Sequence, residues 1–133
     1  MGRGVKAVLL DTNAFAMALT DDPRLPGPAR TVLGGAARVA VSVMSLYEIG
    51  QKVRLGKWPE MAAHLSGLED RARRDGYDLI SLTAAAALQA SVMDWPHRDP
   101  FDRMIAAVAG QERLPLVSSD AAFDVLTLER IWG

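Results

Sequence analysis

Four acidic residues stand where a small protein could do chemistry: Asp11, Glu48, Asp102 and Asp120. Asp11 closes a short apolar run, Val5–Leu10, and Asp120 comes just after another, Leu114–Val117. Runs of this kind read as strands buried on both faces, and open α/β sheets bind ligands beyond the carboxyl ends of their strands. Asp102 opens a helix, yet its neighbours three, four and seven residues on are Ile105, Ala106 and Ala109, so it shares their apolar stripe. A charge placed there needs a cation, a metal or several N–H donors. Glu48 lies in a helix that starts from the second strand, near the same sheet edge. Each acid also has a plainer reading. Asp11 and Asp120 suit helix N-caps, Asp102 suits a capping box that reaches back to the Asp99 N–H, and Glu48 with Lys52 suits an exposed i,i+4 ion pair. Asp99, directly before Pro100, is first a cap and second an outer member of the acidic group.

Brought together, four carboxylates repel one another and resist ionisation. A divalent cation relieves that repulsion, and Mg²⁺ and Mn²⁺ favour oxygen ligands. A cation held this way polarises a phosphoryl oxygen and activates water, which is equipment for hydrolysing a phosphodiester. Composition narrows the choice in the same direction. The chain has no cysteine, so thiolate ligands, disulfides and a cysteine nucleophile are excluded, and its two histidines are too few for a His-rich metal site. Cysteine usage fits the reducing cytoplasm. With 15 basic and 16 acidic residues, the net charge of −1 excludes nucleic-acid binding by bulk positive charge. The longest uncharged run, Leu79–Met93, is short of the roughly 20 apolar residues that span a bilayer, so no membrane is expected, and the Met1–Lys6 start has no signal-peptide core.

The elements that must position these residues alternate along all 133 positions, which read as one domain. Strands are expected at Val5–Leu10, Arg38–Ser42, Tyr77–Leu82, Leu114–Val117 and Thr127–Trp132. Helices are expected at Ala14–Leu19, weakly at Ala29–Ala37, then at Val43–Leu55, Glu60–Arg74, Ala84–Met93 and from Asp99–Pro100 to about Glu112, with a helical turn at Ala121–Val125. This order predicts a three-layer α/β/α sandwich with a central parallel sheet of four to five strands. Trp58, Trp95 and Trp132 sit at element edges and read as packing residues.

Four motifs in this order resemble the PIN-domain family, and within it the VapC-like toxins of toxin–antitoxin pairs. They are Leu9-Leu10-Asp11-Thr12-Asn13, then Ser45-Leu46-Tyr47-Glu48-Ile49, then the stretch from His97-Arg98-Asp99-Pro100-Phe101-Asp102 to Ala107, and Leu116-Val117-Ser118-Ser119-Asp120-Ala121-Ala122-Phe123. The resemblance implies a Mg²⁺- or Mn²⁺-dependent endoribonuclease that cuts structured RNA. Asp11 and Asp102 would be the principal metal ligands, Asp120 would complete the site directly or through water, and Glu48 would bind metal or orient the attacking water. Thr12, Asn13 and Ser118 would support the pocket. In-line attack by metal-activated water would leave 5′-phosphate and 3′-hydroxyl ends.

The same resemblance implies a VapB-like antitoxin covering the acidic pocket and a second copy of the chain as a homodimer partner. RNA also needs positive charge, and Arg98 and Arg103, flanking the acidic helix start, are the best phosphate candidates. Lys52, Arg54 and Lys57, and Arg71, Arg73 and Arg74, form further basic groups that also suit solvated helix faces. A haloacid-dehalogenase-type phosphatase would need Asp where Asn13 stands, and a receiver domain would need a lysine after Lys57, the last one in the chain. The alternative to an enzyme is a non-catalytic PIN-like domain that binds RNA or protein, which would be expected to have lost acids from this set.

Overall fold

The computed structural model describes residues 6–133. Val5, the expected first residue of the opening strand, lies outside them. Among the described residues five strands form one sheet: β1 (Ala7–Leu10), β2 (Arg38–Ser42), β3 (Tyr77–Ile80), β4 (Leu116–Val117) and β5 (Arg130–Ile131). Their spatial order is β3-β2-β1-β4-β5, and every adjacent pair is parallel. The most apolar strand is therefore the central one. Val8 and Leu10 point into one layer and Leu9 into the other, all fully buried. This is why the run of strand β1 shows no polar alternation.

On one face pack α1 (Thr12–Leu19), α2 (Gly27–Gly35), α3 (Val43–Arg54) and α5 (Leu68–Arg74), around Phe15, Ile49, Val41 and Ala72. Phe15 meets the Tyr77 ring edge-on at 5.3 Å between centroids. On the other face lie α6 (Ala84–Val92) and α7 (Pro100–Glu112), whose alanines let them approach closely over Leu9, Ala40 and Leu116. Trp95 and Phe123 close that layer, their rings 5.4 Å apart. The expected three-layer α/β/α sandwich is thus the observed architecture.

Several boundaries differ for local reasons. The segment expected as one helix at Glu60–Arg74 is broken into a 3₁₀ turn at Pro59–Met61, α4 (Ala62–Leu65) and α5. Ser66 is extended and Gly67 takes φ +71°, a left-handed conformation that suits glycine and ends the helical run. Helix α2 begins at Gly27 and runs unbroken through Gly34, because Pro28 occupies its first turn, where no N–H is needed. The outer strands are shorter than their apolar runs, and β5 keeps only Arg130–Ile131 of Thr127–Trp132.

The loop between α6 and α7 is fixed by one side chain. Arg103 Nε donates to the Ala90 carbonyl at 2.8 Å, Nη2 to Met93 at 2.6 Å, and Nη1 to Trp95 at 2.7 Å and His97 at 3.0 Å. The guanidinium is consumed by backbone, which removes Arg103 as an RNA phosphate contact and makes it the clamp that holds residues 93–97 in place. Removing it strands four carbonyls at once. Arg103→Met is expected to lower unfolding free energy by on the order of 3 kcal/mol, read by urea denaturation.

Candidate active site

The strand register sets the centre of the site. Leu10 is paired with Val41 on one side and with Val117 on the other, so the next residues, Asp11, Ser42 and Ser118, lie level at the carboxyl edge. All three are buried. The chain departs in opposite directions on either side of β1, which is where open α/β sheets form their binding crevice. The Asp11 N–H donates to the Val117 carbonyl at 3.1 Å, and its side chain caps α1 by accepting from the Ala14 N–H at 2.8 Å. The Ser118 hydroxyl beside it favours its charged form. The cap reading of Asp11 therefore holds, and the capping carboxylate lies at the carboxyl edge of the sheet.

Burial dominates the Asp11 carboxyl and pushes it up to about 6, against the hydrogen bonds from Ser118 and Ala14 that favour its charge; Asp102 and Glu48 add repulsion. Asp102 is raised too, first by burial, with Asp99 and Glu48 repelling it and His97 working the other way. Asp11, Glu48 and Asp102 thus feel one another's charge across three different elements.

Glu48 forms its expected ion pair in an unexpected setting. Its Oε2 pairs with Lys52 Nζ at 2.7 Å, as the i,i+4 spacing suggests, but the carboxylate is buried rather than exposed. Its Oε1 accepts from Thr12 Oγ1 at 2.6 Å, and Ser45 Oγ lies 2.9 Å from the same hydroxyl. Helix α3 therefore delivers one acid to the site already half neutralised. Asn13, expected to support the pocket, is exposed and forms no hydrogen bond with any of the four acids among the described residues.

Asp102 does not reach back to the Asp99 N–H. Its Oδ2 lies 2.7 Å from His97 Nε2, while Asp99 caps α7 alone, accepting from the Phe101 N–H at 2.8 Å. Asp120 caps the 3₁₀ turn Ala121–Val125 through the Ala122 N–H at 2.9 Å, and its own N–H donates to Ser118 Oγ at 3.0 Å. His97, Asp102 and Asp120 each offer a ligand atom, and these atoms all lie within 4.8 Å of one another. Sequence reasoning missed His97, since counting histidines excluded only a His-rich site. The available signal was its place in the His97-Arg98-Asp99-Pro100-Phe101-Asp102 stretch. Arg98 is exposed beside it and remains free to face a ligand from solution. This donor set of several carboxylates and one imidazole fits a hard or borderline divalent cation.

The sign of the Asp11 effect is testable. A carboxyl raised in the folded state costs nothing below its ordinary range near 3.8, and the cost grows as pH rises through about 6. Asp102, raised in the same direction, adds to this. In chelator at pH 7.5, Asp11→Asn is expected to be more stable than the wild type by about 1–3 kcal/mol. The gain should vanish near pH 4, as measured by thermal and denaturant unfolding across pH.

Comparison with known proteins bears on the fold and the family. The PIN domain family model matches residues 8–127. Among solved structures, the sarcin-ricin-loop-cleaving toxin VapC20 of Mycobacterium tuberculosis superposes with a TM-score of 0.65 at 18% identity, covering 91% of this chain and 95% of that one. A VapBC-5 structure from the same organism gives 0.62 at 21%, covering 96% and 99%, and DNA-bound VapBC from Salmonella typhimurium gives 0.61 at 19%, covering 95% and 96%. These likenesses establish a shared fold. A shorter match, 42% identical over 64 residues, is to the ribosomal RNA small subunit methyltransferase B of Xylella fastidiosa; it takes in 42% of this chain and 15% of that enzyme's length. The family match takes in Asp11, Glu48, Asp102 and Asp120 and nearly all the described residues: the chain belongs to the PIN-domain family.

Proposed function

We propose that this chain is a divalent-metal-dependent endoribonuclease and the toxin of a toxin–antitoxin pair. The observation that carries the reading is that Asp102 shares a ligand-sized space with Asp120 and His97 and feels the negative charge of Glu48, while Asp11 feels that of both Asp102 and Glu48. The fold shared with a sarcin-ricin-loop-cleaving toxin and with VapBC complexes supports it. A non-catalytic binding domain would be expected to have lost acids from this set, and all four are present.

Asp11, Asp102 and Asp120 are the residues that would hold the cation, Mg²⁺ or Mn²⁺. When bound, the cation polarises the phosphoryl oxygen and makes water a better nucleophile. The protein's own groups do the rest. The Ala14 N–H fixes the Asp11 carboxylate and Ser118 favours its charge. Thr12 and Lys52 fix Glu48, whose remaining lone pairs are available to orient the attacking water. Attack by water rather than by the ribose 2′-hydroxyl leaves a 5′-phosphate and a 3′-hydroxyl. Arg98, exposed at the mouth, is the phosphate contact of this reading. Occlusion by an antitoxin that places a cationic side chain among the acids, and pairing with a second copy of the chain, complete the proposal. Among the described residues no helix is long and apolar enough to cross a membrane.

The test is cleavage of ribosomal RNA by purified protein with Mg²⁺ or Mn²⁺, followed by mapping of the ends. Asp11→Asn and Asp102→Asn are expected each to lose at least about 100-fold in rate, with 3′-hydroxyl ends from the wild type. Equal cleavage by the wild type and both variants, or cyclic-phosphate ends that persist in chelator, would contradict the assignment.

A further inference from the structure

Of the three residues that offer ligand atoms in the His97–Asp102–Asp120 group, His97 alone offers a nitrogen. Its Nε2 is aimed at the cluster, 2.7 Å from Asp102 Oδ2, and it shares a ligand-sized space with Asp102 and Asp120. The imidazole is held from behind. It stacks on the buried Trp95 ring with centroids 4.6 Å apart and planes 26° from parallel, and the Phe123 ring lies 6.4 Å away. Its backbone carbonyl is gripped by Arg103. An exposed surface histidine has no need of such support, whereas a ligand gains from being fixed before the ion arrives.

We propose that His97 supplies a nitrogen ligand to the cation held by Asp102 and Asp120, making a mixed nitrogen–oxygen site that favours Mn²⁺ and later first-row divalent ions over Mg²⁺. The inference rests on the metal-dependent reading above and goes beyond it by assigning a fifth residue and a metal preference. The physical grounds are the separation and the donor chemistry. Neighbouring donors on one six-coordinate ion stand about 3 Å apart when the bonds are near 2.1 Å, close to the spacing of Nε2 and Oδ2. Imidazole is a borderline ligand that suits Mn²⁺ and its successors better than Mg²⁺, which keeps to oxygen and water. Coordination uses the Nε2 lone pair, so the ring carries its proton on Nδ1, and the hydrogen bond to Asp102 is exchanged for a shared ion.

The alternative role for His97 is to position Asp102 by hydrogen bonding alone, and metal binding read without activity separates the two. The 133-residue chain is loaded with Mn²⁺, and pulsed electron paramagnetic resonance is used to look for imidazole nitrogen bonded to the ion. Calorimetry of Mn²⁺ and of Mg²⁺ is run on the wild type and His97→Gln. Expected are a nitrogen signal in the wild type that is lost in the variant, and a fall in Mn²⁺ affinity of about tenfold or more with a clearly smaller change for Mg²⁺. Mn²⁺ bound to the wild type without a nitrogen signal would overturn the proposal while leaving the metal-dependent reading intact. So would equal losses for the two ions. Should His97→Gln fail to fold, the wild-type spectrum decides alone. No Mn²⁺ binding to the wild type at all would overturn both readings together.

Discussion

The structure depends on holding carboxylates together where they would rather not be. Asp11 sits at the end of the central strand, flanked by Ser42 and Ser118 and covered from both sides, and burial is the largest of the influences that leave its carboxyl raised to about 6. Repulsion from Asp102 and Glu48 contributes to the same rise. A fold that only needed a capped helix at this position could use serine, as α3 does with Ser42. The retained acid is a local cost in stability, and costs of this kind gather at functional sites.

Everything around the acids reduces that cost without removing it. Lys52 and Thr12 satisfy Glu48, Ser118 and a helix N-terminus satisfy Asp11, and His97 meets Asp102. Among the described residues no buried side-chain nitrogen or oxygen lacks a partner. These partners are themselves positioned by ordinary packing. Arg103 ties down the loop that carries His97, and the alanine-rich α6 and α7 bring that loop over the sheet. The parallel sheet supplies the geometry, because strands that run the same way release their following residues at the same edge.

Much of this was legible in the sequence. Two-sided burial of β1 and β4 shows as unbroken apolar runs, and an acid at the end of each marks the edge. The helix at Pro100 announces itself through Asp99 and proline. What could not be read were the long-range pairings. Nothing near Arg103 in sequence tells that its guanidinium faces four carbonyls rather than solvent, so it passed for a phosphate contact. Nothing near Glu48 shows that the residue is buried, since its i,i+4 lysine gives the same pattern on an exposed face. His97 and Asp102 are only five residues apart, but whether they meet depends on how the intervening loop turns. The Glu60–Arg74 segment failed for another reason: its amphipathic pattern continues through Ser66-Gly67, where backbone conformation breaks the helix and the pattern does not.

The most direct test of the account is to see the cation. Crystals grown with Mn²⁺ and measured at a wavelength sensitive to manganese should show one strong anomalous peak at the carboxyl edge, within bonding distance of Asp102 and facing Asp11 and Asp120. No peak at saturating Mn²⁺, or a peak held by surface acids away from this edge, would contradict the claim that these carboxylates are gathered to hold an ion.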